Sequence, residues 1–220
     1  NMSLTYTTLQ SQIKDILEND GTEFSDAVPS FIERGELRLF REIDSLGLNK
    51  YANTNFNVGD PFLSKPESTA IIRSVNYKTA EGNRIQLLQA TNEYVNDYWP
   101  VRASVGSPRY YSNFGFDTIL VAPAPSSAST VEMEYIAQPT PLADSNQTNY
   151  FTDYTSNALL YACLIEACYY MKNPSAVSYW EKRYKEEVNA LNNEARRTRR
   201  DDMIVAANPS GGEDNLISGT

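Results

Sequence analysis

The sequence of 220 residues contains no histidine and only two cysteines, Cys163 and Cys168. Without histidine, catalysis by Ser-His-Asp or Cys-His groups, zinc binding by histidine and the usual pH switch near neutrality are excluded. Two cysteines are too few for a disulfide-rich secreted module. On the helix predicted there they lie about 140° apart and cannot bridge within it, so we expect two small buried core residues.

Phosphate-binding loops and membrane segments are also missing. Neither G-x-G-x-x-G nor G-x-x-x-x-G-K-[ST] occurs, which leaves nucleotide binding without support. No apolar run approaches the roughly 20 residues needed to span a bilayer. Residues 1–5 lack the basic-then-apolar layout of a signal peptide. We therefore expect a soluble, intracellular protein with no cofactor, no metal and no membrane contact.

The charge balance argues against a free-standing nucleic-acid binder, and among enzymes it leaves those that use a pair of carboxylates. The 28 acidic residues outnumber the 19 basic ones, for a net charge of −9, whereas phosphate binding needs a basic surface. The remaining route is a pair of carboxylates, Glu132 with Glu134 or Asp201 with Asp202. The first pair alternates along the solvent face of a predicted strand, and the second ends a helix beside four arginines. We therefore predict that the protein is not an enzyme.

Two helices are predicted before residue 48. The first has an apolar stripe. Thr5, Thr7 or Thr8 could cap its start, and residues 19–21 form the signal that ends it. The second begins near Ser25 or Asp26, with Pro29 in its first turn. The apolar stripes consist of Leu9, Ile13, Ile16 and Leu17 in the first helix, and of Val28, Ile32, Leu39, Phe40 and Ile43 in the second. The second helix has an opposite mixed face formed by Glu33, Arg34, Glu36, Arg38, Arg41 and Glu42.

Gly35 lies inside this second helix. A glycine there weakens the helix by about 1 kcal/mol relative to alanine. A close helix neighbour would explain why glycine is tolerated at this position.

The middle of the chain has the pattern of an antiparallel β-sandwich or barrel. Short runs rich in β-branched and aromatic residues alternate with glycine and proline turns. The predicted strands are residues 54–58, 71–78, 85–88, 109–113, 118–121 and 131–137. A short helix capped by Thr91 interrupts them. In the last strand, Val131, Met133 and Tyr135 share the inner face.

Two further helices are predicted after residue 154. The first is apolar nearly all round and should be buried on several sides. Asn173 caps the second, with Pro174 in its first position. We expect Leu159, Tyr161, Leu164, Trp180 and Tyr184 in the helical core, the last four of them buried between helices.

A basic segment ends this helical region. Between Lys182 and Arg200 there are seven cations and three anions, a net charge of +4, while the rest of the chain carries −13. One interpretation is a solvated face whose cations stabilise the helix terminus. The other is an arginine cluster that docks an acidic partner surface or nucleic acid. Because a polar segment with the composition of a disordered tail follows directly, cluster and tail would form one continuous docking element, which favours a protein partner. The candidate docking residues are Arg196, Arg197, Arg199, Arg200, Met203, Ile204, Val205, Asn208 and Pro209.

Several stretches, in order, resemble the head-to-tail adaptor (connector, or head completion) proteins of tailed bacteriophages. The resemblance covers roughly residues 5 to 202, and no single motif is diagnostic. The stretches that carry it are 31–42 (FIERGELRLFRE), 106–111 (GSPRYY), 119–125 (ILVAPAP), 131–135 (VEMEY), 139–142 (PTPL) and 157–167 (NALLYACLIEA).

The resemblance implies a virion structural protein that forms a ring, usually of twelve subunits, beneath the portal. The helical part and the C-terminus would engage the portal protein. The β-rich part would face tail proteins such as a tail tube, nozzle or terminator. Genomic double-stranded DNA would pass through the central channel without sequence-specific binding. The protein would reside at the head-tail interface of the virion, and in the host cytoplasm before assembly.

We therefore predict an α+β subunit. Residues 1–48 and 155–202 form a discontinuous, portal-facing helical bundle. Residues 49–154 form an inserted, tail-facing β domain, and residues 203–220 form an extended C-terminal tail. The alternative is a β-sandwich module of a virion or host protein that binds carbohydrate or a tail fibre through its tyrosines.

Overall fold

The computed structural model describes residues 4–44 and 46–207. The chain forms two compact units. Of the described residues, the helical unit contains 4–44, 46 and 140–207, and the β unit contains 47–139. The helices are α1 (Tyr6–Leu17), α2 (Thr22–Glu42), α3 (Asn92–Tyr98), α4 (Tyr150–Tyr154), α5 (Ser156–Tyr170) and α6 (Pro174–Ala207). The strands are β1 (Asn49–Phe56), β2 (Phe62–Ser64), β3 (Thr69–Lys78), β4 (Arg84–Gln86), β5 (Leu88–Gln89), β6 (Val105–Gly106), β7 (Tyr110–Asn113), β8 (Thr118–Ala122), β9 (Ala124–Pro125) and β10 (Ser129–Ala137).

Helix α5 is the centre of the helical unit. It packs against α1, α2, α4 and α6. Its buried residues include Ala158, Leu159, Ala162, Leu164 and Ile165, so it is enclosed on several sides, as its apolar sequence predicted. The ends of the neighbouring helices follow local signals. Thr5 caps α1 in a reciprocal pair with Thr8, and the Asn173 side chain accepts the Ala176 N–H at the start of α6.

Helix α2 starts earlier than the sequence indicated. It begins at Thr22, because Gly21 serves as the N-cap and its carbonyl accepts the Ser25 N–H. Pro29 therefore lies inside the helix and not in its first turn, which corrects that prediction. The proline is exposed, so water can solvate the carbonyl that loses its helical hydrogen bond.

The β unit contains two four-stranded sheets and a small third sheet. The first sheet has the order β1-β10-β3-β4 and is antiparallel throughout. The second has the order β2-β8-β7-β5, and its β5–β7 pair is parallel, as is the pair β6–β9. The strictly antiparallel arrangement expected from the sequence is therefore wrong at these two short pairs. Residues of both larger sheets, Val131 and Met133 from one and Ile119 and Val121 from the other, share one hydrophobic core.

Residues 140–154 belong to the helical unit, whereas the sequence analysis assigned them to the β domain. Leu142 and Phe151 are buried in the helical core. The Leu142 N–H also donates to the carboxylate of Glu36 on α2, at 3.1 Å. These long-range contacts have no local signature in a stretch that contains no strong helix or strand pattern.

Gly35 lies where α2 crosses α5. A Cβ added there would come within 2.8 Å of Cys163 Sγ and 3.1 Å of the Cys163 backbone nitrogen. The close helix neighbour expected from the sequence is therefore Cys163 on α5.

We expect Gly35→Ala to lower the free energy of unfolding by about 1–3 kcal/mol, because the overpacking outweighs the gain in helix propensity. Chemical denaturation of the wild type, Gly35→Ala, Cys163→Ala and the double variant would measure this. The double variant should be more stable than the sum of the single changes, since removing Sγ relieves part of the clash. Additive losses would contradict the contact.

Candidate docking surfaces

Helix α6 carries the arginines that the sequence analysis selected. Arg196 and Arg197 are exposed on it. The backbone of Arg199, Arg200, Met203, Ile204 and Val205 is also part of α6, but their side chains lie outside the described part of the structure. Asn208 and Pro209 lie outside the described residues altogether. Helix α6 continues to Ala207, so residues 203–207 are helical and not extended, because no glycine or proline interrupts the chain before Pro209.

Asn192 marks the point where α6 leaves the helical core. Its side-chain amide donates to the Glu42 carbonyl at 3.0 Å, and its Oδ1 accepts the Asp44 N–H at 2.8 Å. It thereby satisfies backbone groups at the C-terminal end of α2. Among the described side chains of α6, Leu191 is the last that packs against the helical core. The 15 residues of α6 after Asn192 extend about 22 Å at 1.5 Å per residue, and they include the arginines.

The expected core residues differ in their burial. Leu159, Leu164 and Tyr184 are fully buried. Tyr161 and Trp180 are half-buried, which corrects the expectation for both. Their rings stack with centroids 5.7 Å apart, and the Arg183 guanidinium lies over the Tyr161 ring, 5.5 Å from its centroid. Both residues pack against the helical core while remaining partly accessible to solvent.

Two charged residues of α2 that the sequence assigned to a mixed outer face lie within the helical unit. Glu36 is only 5% exposed. Arg38 is half-buried, 3.5 Å from Glu181 and 3.8 Å from Glu166, and its guanidinium lies over the Tyr184 ring. Arg38 thus links α2 to both α5 and α6. For Glu36, the helical spacing from Ile32 and to Leu39 was a usable signal, since it places all three residues on one stripe.

Of the two candidate carboxylate pairs, only Glu132 and Glu134 have side chains in the described part of the structure. Glu132 lies 2.7 Å from Lys78 and 2.7 Å from Arg84, so it connects β10 with β3 and β4. The hydrogen bonds from Arg84 and Lys78 lower its pKa from 4.5 to about 2. An ion-paired carboxylate of this kind is a poor general acid or base near neutral pH. The side chains of Asp201 and Asp202 lie outside the described part of the chain.

Both cysteines are buried and unbridged. Burial raises the pKa of each thiol, that of Cys163 well above its ordinary value. Thiols held in the protonated form are weak nucleophiles and metal ligands. Within the described residues, no cluster of three or more Cys, Asp or Glu side chains is placed to hold a metal ion.

Three tyrosines form a partly exposed cluster in the β unit. The Tyr94 and Tyr98 rings on α3 are nearly parallel, with centroids 6.3 Å apart. Both contact Tyr110 edge-on, at 5.1 and 4.7 Å. The alternative hypothesis of a tyrosine-based binding site would place a ligand here.

The comparison with family models decides the identity of the chain. The model of the SU10 adaptor protein family matches residues 4–208. The chain belongs to this family. The resemblance to phage head-to-tail adaptors is thereby confirmed. The search of curated proteins found no match.

Membership of the SU10 adaptor family makes this chain a phage structural protein of the virion, with portal and tail proteins as the implied partners. Adaptors of this kind are generally not enzymes. The fold agrees with the coarse expectation of helices combined with antiparallel sheets. No helix in residues 4–44 and 46–207 is both long and apolar enough to cross a membrane.

Proposed function

We propose that this SU10 adaptor forms a ring, of twelve subunits by analogy with phage connectors, that docks under the portal and joins the capsid to the tail. In this proposal the helical unit is a bundle that faces the portal, and the β unit is a sandwich that faces the tail proteins. Genomic DNA passes through the ring without sequence-specific contacts. Before assembly the protein resides in the host cytoplasm.

The observation that carries the proposal is the C-terminal part of α6, where Arg196 and Arg197 are exposed beyond the last described residue that packs on the helical core. Asn192 ties α6 to the end of α2, so the arginines beyond it are presented by a helix with a fixed base. Arginine forms bidentate hydrogen bonds with carboxylates, which suits docking to an acidic protein surface. Exposed arginines on such a helix are available to contact another ring.

The net charge supports passage of DNA. Twelve copies with a charge of −9 each would place roughly a hundred negative charges around the channel. Such a field repels phosphate and opposes tight binding, so DNA can slide.

We expect a variant with four alanines in place of arginines to bind the portal about tenfold more weakly or worse. The replaced residues are Arg196, Arg197, Arg199 and Arg200. The loss follows because each charged hydrogen bond contributes about 1 kcal/mol or more. Truncation after Asp202 should act in the same direction. Co-sedimentation with the purified portal, with electron microscopy of the complex, would measure the effect. The weakening should decrease at high salt, since the contacts are electrostatic.

The matched control is Lys182→Ala with Lys185→Ala, two exposed cations of α6 that precede Asn192. This variant should bind the portal as the wild type does. Unchanged portal binding by the arginine variant would exclude the proposed docking role of the helix end.

A further inference from the structure

The tip of the β7–β8 hairpin presents aromatic side chains to solvent. Phe116 is 97% exposed, and Phe114 is 58% exposed. Phe62 at the start of β2 is 46% exposed and contacts Phe114, with ring centroids 5.1 Å apart. We refer to these three residues as the aromatic tip. Removing such large apolar side chains from water is favourable, and a local group of exposed ones is typical of an interaction site.

The backbone of the aromatic tip is held in one conformation. The Lys65 ammonium donates to the carbonyls of Gly115 and Phe116, at 3.0 and 3.2 Å. The Lys65 N–H donates to the Asp117 carbonyl at 2.7 Å. The N–H groups of Phe114 and Gly115 both donate to the Thr118 carbonyl. Because the loop is already ordered, a partner that covers it incurs less entropic cost.

Exposed carboxylates surround the aromatic tip. Asp60 accepts the Phe62 N–H at 3.0 Å, and Asp117 follows Phe116 directly. Glu67 and Phe116 both line a surface groove of about 380 Å³. The Lys65 ammonium keeps its positive charge while it donates to the two carbonyls. The three carboxylates of Asp60, Glu67 and Asp117 outnumber it, so the rim has a net charge of −2. An anionic rim disfavours nucleic acid and anionic lipid surfaces, and it complements a basic protein surface.

We propose that the aromatic tip is the tail-docking element of this adaptor and that it inserts into an apolar pocket with a basic rim on the tail protein. The proposal rests on the proposed function and adds to it the site and the chemistry of the tail partner. The phenylalanines supply the buried contact area. The carboxylates at the rim orient the approach.

The test uses phage heads assembled with the portal and the full-length adaptor. Phe114→Ser combined with Phe116→Ser removes the exposed rings and leaves the core intact, so the thermal unfolding curve should match that of the wild type. We expect the variant to occupy heads normally, while the fraction of particles that acquire tails falls by about tenfold or more. Adaptor occupancy by immunoblot and tail counts by electron microscopy give the two measurements separately.

Two further variants test whether the loss of tail attachment is specific to the aromatic tip. Tyr51→Ser replaces a residue on β1 that is 75% exposed and is not part of the aromatic tip, and it should leave tail attachment unchanged. Lys65→Met retains all three phenylalanines but removes the ammonium that orders the loop. It should therefore reduce tail attachment by less than the double variant.

Normal tail attachment by the double variant would overturn the tail-docking proposal alone. If the double variant no longer assembles into adaptor rings, the tail-docking proposal would be overturned in favour of a contact between copies of this chain. Absence of the wild-type adaptor from heads would overturn the proposed function, and the docking role with it.

Discussion

Leu164→Asp is expected to yield no folded protein. Leu164 lies on α5 and is fully buried in the helical core. The substitution places an unpaired carboxylate among apolar side chains, where it would cost several kcal/mol, in addition to the lost burial of the leucine. The total is comparable to the 5–15 kcal/mol that stabilises a typical domain. Soluble yield and far-ultraviolet circular dichroism of the expressed variant would measure the outcome.

The control for this variant is Leu160→Asp on the same helix. Leu160 is half-buried and lines a surface groove with Thr7 and Ser11 of α1. Its new carboxylate can reach water, so we expect folded protein with a loss of about 1–2 kcal/mol. A soluble, ring-forming Leu164→Asp protein would show that Leu164 is not enclosed between helices.

Glu36→Ala is expected to lower the free energy of unfolding by about 2–3 kcal/mol. The buried Glu36 carboxylate accepts the Leu142 N–H at 3.1 Å and the Asn149 side-chain amide at 2.5 Å. Asn149 in turn caps α4. Alanine leaves these donors without their acceptor in a buried place, which costs about 1–3 kcal/mol, and it also weakens the cap. Urea denaturation monitored by tryptophan fluorescence would measure the loss.

Glu33→Ala is the control for Glu36→Ala. Glu33 lies on the same helix but is exposed, so its replacement should change the free energy of unfolding by less than about 0.5 kcal/mol. Equal losses in the two variants would contradict a specific role for Glu36 in holding residues 140–154 on the helical unit.

The two glutamates Glu36 and Glu132 should give opposite pH dependences. Burial raises the pKa of Glu36 above its ordinary value of 4.5. The protonation-linked part of its contribution is therefore fully present below pH 4.5 and is lost as the pH rises through the folded-state pKa, whereas its oxygens accept the Leu142 and Asn149 hydrogen bonds in either form. Hydrogen bonds from Arg84 and Lys78 lower the pKa of Glu132 to about 2. Its contribution is therefore present above pH 4.5 and is lost as the pH falls toward 2. Measuring the free energy of unfolding of the wild type, Glu36→Gln and Glu132→Gln between pH 2 and 8 would show the two opposite pH dependences.

Local sequence signals located most helices and strands. Thr91 and Asn173 cap their helices where the sequence placed them, and Thr5, one of three candidates, caps α1. A cap is predictable because it bonds to residues within three positions of itself. The alternation of Val131, Met133 and Tyr135 with Glu132 and Glu134 correctly identified the inner face of β10, since side chains alternate along a strand. The predicted start of α2 was wrong, because Pro29 lies inside the helix and not in its first turn.

The candidate surfaces were less accessible to sequence reasoning. The exposed Arg196 and Arg197 could be recognised, because a basic run needs no partner in the chain to be noticed. The aromatic tip could not, since Lys65 and Phe116 are 51 positions apart and only the fold brings the ammonium to the carbonyl. For Glu36, the helical spacing from Ile32 and Leu39 indicated the buried stripe. Its hydrogen-bond partners could not be predicted, because Leu142 and Asn149 are more than 100 positions away.

The sequence by itself determined the composition of this adaptor, the alternation of helical and β regions, and the absence of histidine chemistry. These follow from residue types and from periodicities that span a few positions. Only the tertiary structure decided which charged residues are buried, where residues 140–154 pack, and which exposed aromatics are held rigid. Those properties depend on contacts between distant segments, and burial changes the energy of a charge far more than its position in the chain does.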